Sequence, residues 1–346
     1  MQYTLNAEQI KNRLMTLDAL ENSGNENAEQ KLSSLKSSGV WNLLFDGEVD
    51  WVSKVTSLIE IGKASPSLLA ALTDVYLTRN ILPDTDVLYA SAFLEQDVDV
   101  DWSSIATTVK RDEDSIVIHG EKRFVPNVDL AEGFLVLAKD KSKDRLQIIL
   151  VPKNCDGIEI EEQTTLGLEQ FNFSKVTFNQ VTVDPSNILK SIEDRLEDHV
   201  SFEEPKIVLA ALASALAERS LEDSIKIAGT KQRFGEKLGD TQNVQFKIAE
   251  MTVKINAGKS LLYQAAQKKD RNEKSDVDVA MAKVYLSEAA NLAVDYNLQI
   301  NGLQGLENDS LASDLYMSQR LTELYITPSE IDRNAIAEYV LAVDEF

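Results

Sequence analysis

"DSIVIHGEKRFV", residues 114–125, is where the chain changes its period. β-branched and aromatic residues alternate with polar ones here, as in a strand with one buried face. The same texture returns in "GFLVLAKD" (133–140), "RLQIILVPK" (145–153) and "SKVTFNQVTVDP" (174–185), with turn residues between them. Four or more strands are therefore expected between residues 108 and 184. They should be antiparallel, because the connections are too short for crossover helices.

Outward from this section the helical period takes over on both sides. Ile10, Leu14, Leu17 and Leu20 recur at helical spacing, and "SPSLLAALTDVYLTRNIL" (65–82) carries a second apolar face. After "DPSNILKS" (184–191) three long segments follow: "FEEPKIVLAALASALAERSLEDSIKIA" (202–228), "NVQFKIAEMTVKINAGKSLLYQAAQ" (243–267) and "SDVDVAMAKVYLSEAANLAVDYNLQI" (275–300). With a short last helix they suggest a bundle. The expected chain is mainly α with a middle antiparallel β-domain: an N-terminal helical domain at 1–86, the β-domain at 87–190 and a C-terminal helical bundle at 191–346. Within the bundle, "IVLAALASALA" from Ile207 is apolar nearly all round, which fits either a central core helix or an interface with another chain.

The 346 residues include 57 acidic and 35 basic ones, a net charge of -22. That balance argues against nucleic acid and anionic membranes, both of which need a basic face. No run approaches the ~18 apolar residues of a membrane span. The first residues, "MQYTLNAEQIKNRL", are polar and periodic and do not read as a secretory signal. Cys155 is the only cysteine, so no disulfide can form within the chain, and a cytoplasmic location is expected. His119 and His199 read as ordinary surface or loop residues, since metal sites need clustered donors. No phosphate-binding loop, zinc spacing or Ser-His-Asp arrangement is evident.

The order of helices, strands and bundle, with several local strings, resembles the acyl-CoA dehydrogenase family. "KQRFGEKLGDTQNVQFKIAEM" (231–251) is similar to that family's R-x-Q-F-G segment and the Q-x-x-Q-x-K-x-A-D-M that follows it. "IHGEKRFVPNVDLAEGFLVLA" (118–138) looks like its N-G-x-K-x-W-I-T-N stretch, the strand pair over the flavin. "LGLEQFNFSKVTFNQVTVDPSNIL" (166–189) resembles its closing strand. "LQINGLQGL" (298–306) matches Q-x-x-G-G-x-G in part, and "YITPSEIDR" (325–333) lies where the family has Y-E-G-T-S-E-I-Q-R. The resemblance implies the family's fold and FAD chemistry. In the family the glutamate of Y-E-G-T removes the substrate's α-proton while the flavin accepts the β-hydride.

The departures fall on that chemistry. Ile326 takes the glutamate's position, and Pro205 takes the base position that some relatives use instead, one residue before Lys206. Neither side chain has a titratable acceptor. Glu203 and Glu204 lie one or two places from the second position. They could supply a displaced base or simply favour the start of a helix. The family's T-E-P-x-A-G-S-D loop is "LEQDVDVD" here (94–101), keeping Glu95 and Asp101 but losing the glycine and both hydroxyls, and adding Asp97 and Asp99. W-I-T becomes Phe124, Val125 and Pro126, and proline donates no hydrogen bond.

By the same resemblance, contacts to the ADP end of a neighbouring subunit's FAD would fall to Lys231, Arg233 and Phe234, then Gln299, Gly302 and Gly305, with Leu303 in place of one glycine. One half lost and the donated half kept resembles the degenerate chain of a heteromeric acyl-CoA dehydrogenase. Such a chain has no base of its own and shares FAD with a second subunit that has an intact flavin site and base. Relatives of that kind act on steroid or other bulky side-chain thioesters. Two alternatives stay open: a self-sufficient flavoenzyme with Glu203 or Glu204 as base, and a non-redox scaffold or thioester-binding protein.

Overall fold

Five helices come first: α1 (Ala7–Ser23), α2 (Ala28–Ser37), α3 (Val40–Phe45), α4 (Trp51–Ala64) and α5 (Pro66–Ile81). The computed structural model describes residues 4–23, 28–83, 85, 87–96, 102–112, 114–168, 171–233 and 235–342. Local chemistry sets the helix starts. Asn6 and Gln9 form a reciprocal capping box, the Asn6 Oδ1 accepting from Gln9 N at 2.9 Å and the Gln9 Oε1 from Asn6 N at 3.0 Å. The Asp50 carboxylate caps α4 by accepting from Ser53 N at 3.0 Å. Pro66 opens α5, where the missing N–H costs nothing.

The strands are β1 (Tyr89–Ala92), β2 (Thr108–Asp112), β3 (Ser115–Pro126), β4 (Gly133–Asp140), β5 (Arg145–Pro152), β6 (Ile158–Gln163), β7 (Phe173–Val183) and β8 (Ile188–Ile192). Seven of them run in the order β6-β7-β3-β2-β4-β5-β8, with β1 beside β4. Most neighbours are antiparallel, as the short connections require. Two are not: β1 lies parallel to β4, and β2 meets β4 in parallel at Thr108 and Lys139. The expected antiparallel pairing is found among the strands of 108–184, and these two parallel contacts add to it. β1, "YASA", is too short and small in its side chains to show a period, and β3 intervenes in sequence between β2 and β4. Gly120 sits at a bulge in β3, where a Cβ would lie 2.5 Å from the Thr107 hydroxyl. A buried cluster around Phe134, Val136, Val176 and Phe178 forms the core of this section.

The C-terminal helices are α6 (Glu203–Thr230), α7 (Gln242–Asp270), α8 (Asp276–Asn301), α9 (Leu311–Gln319), α10 (Leu321–Leu324) and α11 (Ser329–Ala342). A two-strand hairpin, β9 (Gln232–Arg233) with β10 (Glu236–Lys237), separates α6 from α7. Gly258 lets α7 and α8 close up, because a Cβ there would collide with Leu286. Two compact units result. One takes the helices through Ala70, a short stretch from Leu166, and everything from Lys206 on; the other takes α5 from Ala71 with the strands, to Pro205.

The apolar stretch of α6 is resolved in favour of the core. Ile207 through Ala217 are fully buried within the chain itself, while the C-terminal half of the helix keeps an outer side at Glu222, Ile225 and Lys226. Among the described residues no helix is long and apolar enough to cross a membrane.

Candidate functional site

The turn after α10 carries the first base position. Tyr325 N donates to Leu321 O, and Thr327 N donates to Tyr325 O at 2.7 Å, closing a three-residue turn around Ile326. Ile326 has φ +63 and is 7% exposed. A β-branched residue rarely takes positive φ, and the conformation costs on the order of 1–2 kcal/mol. Something must hold it. Lys283 of α8, fully buried, donates from Nζ to Thr327 O at 2.5 Å and to Asp332 Oδ2 at 2.6 Å. Burial pulls the Lys283 pKa down, while Asp332 works to keep it charged. Lys206 Nζ lies 2.8 Å from Asp332 Oδ1, oriented as an ion pair rather than a hydrogen bond. The carboxylate in this cluster is thus shared by two ammonium groups, and the side chain on the turn is a hydrocarbon. The turn is built for position and has no group to take a proton.

Pro205, at the second base position, is buried in the first turn of α6. Glu204 is engaged as a helix-start residue. Its Oε2 accepts from Asn80 Nδ2 at 2.8 Å and from Ser201 Oγ at 2.9 Å. Glu203 is half-buried in the same first turn, its backbone N donating to Ser201 Oγ at 3.3 Å.

On the strand side, the groups that resemble a flavin-facing edge are used internally. Glu95 accepts from Lys122 Nζ at 2.7 Å, Ala106 N at 2.7 Å and Thr107 N at 3.0 Å. Burial opposes its charge, yet the Lys122 ammonium and the amides hold its carboxyl below the usual range. Burial brings Lys122 down to about 8 despite Glu95. The surviving acid of the loop is therefore a framework residue. Phe124 has φ +52 and gives its backbone N–H to Gln163 Oε1 at 2.8 Å, and Pro126 has none to give. Asp97, Asp99 and Asp101 lie outside the described residues. Among the described residues, the Glu95 carboxylate and the Phe124 amide are already bonded within the chain, and Pro126 has no N–H to offer an isoalloxazine ring.

Behind this edge lies a group that sequence reasoning missed. Asp74 of α5 is fully buried and accepts from the Ser91 hydroxyl, from Ser91 N at 3.4 Å and from Asn127 Nδ2 at 3.4 Å. With no cation among these partners, burial pushes it up to about 7. The clue was a lone carboxylate inside the apolar run "LLAALTDVYL". Lys283 in "AMAKVYL" carried the same clue.

The ADP-end residues fall on the β9–β10 hairpin and the turn after α8. Lys231 donates from Nζ to Asn301 O at 2.7 Å and to Gln304 Oε1 at 3.2 Å, so its ammonium braces the glycine turn. Arg233 is exposed, with one long contact from Nη1 to Gln232 O at 3.5 Å. Phe234 lies outside the described residues. Gln299 is exposed on the last turn of α8. Gly302 has φ +67 and ψ −149, a conformation open to glycine alone, with nothing near its missing Cβ. Gly305 is buried, and a Cβ there would lie 2.9 Å from Asn301 Cβ. Lys231 ties the hairpin to the glycine turn, and the exposed guanidinium two residues on and the bare Gly302 backbone are both open to a pyrophosphate approaching from outside the chain.

Other polar features are self-contained. His199 pairs with Asp194 at 2.5 Å, and His119 is exposed on β3. A cavity of about 580 Å³ is bordered by α1, α4, α6 and α7. Its charges are spent on one another: Arg13 with Glu60 at 2.6 Å, Lys63 with Glu222 at 2.7 Å and Lys259 with Glu218 at 2.7 Å.

Comparison with known proteins gives this geometry its context. The family model "Acyl-CoA dehydrogenase, C-terminal domain" matches residues 200–341, and "Acyl-CoA dehydrogenase, middle domain" matches residues 90–181. A 3-(aryl)acrylate reductase of Clostridium sporogenes is 29% identical over 257 residues, 73% of this chain and 68% of the relative. An acyl-CoA dehydrogenase of Bacillus subtilis is 28% identical over 267 residues, 75% and 70% of the two chains. Butyryl-CoA dehydrogenase from Megasphaera elsdenii shares the fold with a TM-score of 0.86 at 22% identity, over 99% of this chain and 100% of that one. Two family models in the right order, covering well over half the residues, make the conclusion direct: the chain belongs to the acyl-CoA dehydrogenase family.

Proposed function

We propose that this chain is the degenerate subunit of a heteromeric, FAD-dependent acyl-CoA dehydrogenase. Its partner is a second subunit with an intact flavin site and base, and the substrate is a CoA thioester desaturated at the α,β bond. The observation that carries the reading is the turn at Ile326. Its shape is held by Lys283 against the strain of a positive φ, while the residue displayed is a hydrocarbon. Bound FAD supplies the hydride acceptor. In this reading the chain braces its ADP end from outside, with Arg233 facing the pyrophosphate, Lys231 fixing the glycine turn, and Phe234, Gln299, Gly302 and Gly305 beside it. A heterotetramer acting on steroid or similarly bulky side-chain thioesters is the form that the resemblance carries furthest.

Flavin content tests this. The chain purified alone should be colourless and release far less than one FAD per chain, and co-expression with a fuller family member should give a yellow complex. Stoichiometric FAD in the lone chain would favour the self-sufficient alternative. Glu204 is poorly placed for that role, because Asn80 and Ser201 already occupy it. A stable complex without flavin would favour the scaffold.

A further inference from the structure

α1 lies against α4 the wrong way round for an amphipathic helix. Its inward row is polar: Gln9, Asn12 and Thr16, three and four residues apart, with Arg13 beside them. α4 presents a row of matching spacing, Asp50, Ser53, Ser57 and Glu60. The two rows pair in register. Gln9 Nε2 donates to Asp50 Oδ1 at 3.0 Å, and Asn12 Nδ2 to Ser53 Oγ at 3.1 Å. The Thr16 and Ser57 hydroxyls meet at 3.0 Å, and Arg13 Nε donates to Glu60 Oε1 at 2.7 Å. The large apolar residues lie outside this seam. Ile10 is 46% exposed and Leu14 59%, while Met15 and Leu17 are half-buried.

The character of the contact changes after Thr16. Ala19 is buried, and Ser34 Oγ of α2 donates to its carbonyl at 3.3 Å. The first three turns of α1 are thus held to α4 by hydrogen bonds, and the turn after them by burial. Separating a polar seam exposes little apolar surface, and its groups exchange one another for water at nearly balanced cost. A helix held in this way should open well below the free energy of global unfolding. α4 would stay in place, because its other sides bury Val52, Val55, Leu58 and Ile61. Leu5, Ile10 and Arg13 border the cavity of about 580 Å³, so opening would also widen its mouth.

We propose that residues 7–16 form a releasable strap. They swing off α4 about a hinge near Ala19 and uncover the cavity, while the rest of the fold stays native. The strap does not depend on the shared-cofactor reading, and no flavin enters its test.

Native-state hydrogen exchange on the unmodified chain reads the opening directly. Amides 10–16 should share a single opening, with protection about a hundredfold below that of amides 54–61 in α4. Protection equal to that of α4 would overturn the strap. So would a steady rise in protection from Ile10 to Thr16, which is ordinary fraying from the end. Thr16→Val with Ser57→Ala replaces the central hydroxyl pair by hydrocarbon. Protection of amides 10–16 should then rise about tenfold, with amides 280–297 of α8 unmoved. No rise would show that the polarity of the seam is not what frees the helix. Access is read by thiol labelling in a Cys155→Ser background. Ser57→Cys, beneath the strap, should react with a small thiol reagent about a hundredfold faster than Ser224→Cys. Both serines are fully buried, but Ser224 is bonded to Asn297 inside the bundle at 2.9 Å. Equal rates at the two positions would mean that α1 stays shut, and the proposal would fall.

Discussion

Restoring a carboxylate by Ile326→Glu would put a titratable group on a turn where the present side chain is 7% exposed. Loss of solvation around the new acid should cost about 1–3 kcal/mol of stability. On the shared-cofactor reading no desaturation should appear, because the new base would have no flavin in the same chain to take the hydride. Acyl-CoA-dependent dye reduction above background by that single variant would show that the chain's own flavin half works. Asp74 offers a test free of any functional assumption. Its folded pKa, about 7, stands above the ordinary 3.8 because burial disfavours the charge. The stabilising contribution of its acid form is therefore complete below about pH 4 and is lost as the pH rises through 7. Asp74→Asn, which keeps a neutral acceptor for Ser91, should match the wild type in urea unfolding near pH 4. At pH 8 it should be more stable, by up to about 4 kcal/mol. Equal stability at both pH values would mean that the carboxylate is solvated or paired with a cation.

At the scale of elements, the joint between α8 and α11 rests on one buried ion pair. Lys283→Met removes a cation of similar length, leaving Thr327 O without its donor and Asp332 with Lys206 as its remaining cation. Breaking a buried pair from one side costs about 3–5 kcal/mol, so the unfolding midpoint in urea should fall markedly. A loss under about 1 kcal/mol would show that the pair is not what holds the turn. These elements were unequally legible in the sequence. Long segments with strong period, such as 202–228 and 243–267, are found as α6 and α7, because burying one face demands that spacing. β1 and β8 were not singled out; their few residues take their form from β4 and β5. The base positions were legible as motif departures, since a missing carboxylate shows in the letters. The Lys283–Asp332 and Lys122–Glu95 pairs were not, since only the fold reveals that distant residues share a dry pocket. The apolarity of "IVLAALASALA" marked burial correctly but could not say by what.

For the whole molecule, charge is the organising quantity. A net charge of -22 opposes any approach by a dinucleotide except where the local balance reverses, and residues 226–270 reverse it. Arg233 is an exposed cation near the head of that segment, and Lys231 beside it is already committed to Asn301 O and Gln304. Removing Arg233 should therefore act on cofactor retention rather than on the fold. In the complex co-expressed with the partner subunit, Arg233→Glu would set a carboxylate against a pyrophosphate. A charge-assisted hydrogen bond is worth about 1.5–3 kcal/mol, so FAD should bind at least tenfold more weakly. Extracted flavin should fall below one per site, and added FAD should restore part of the activity. Arg233→Lys keeps the charge without the planar fork and should lie between the two. The unfolding curve of the lone chain should barely move, because among the described residues the guanidinium makes one long contact. A well-assembled Arg233→Glu complex with undiminished flavin would place the pyrophosphate elsewhere.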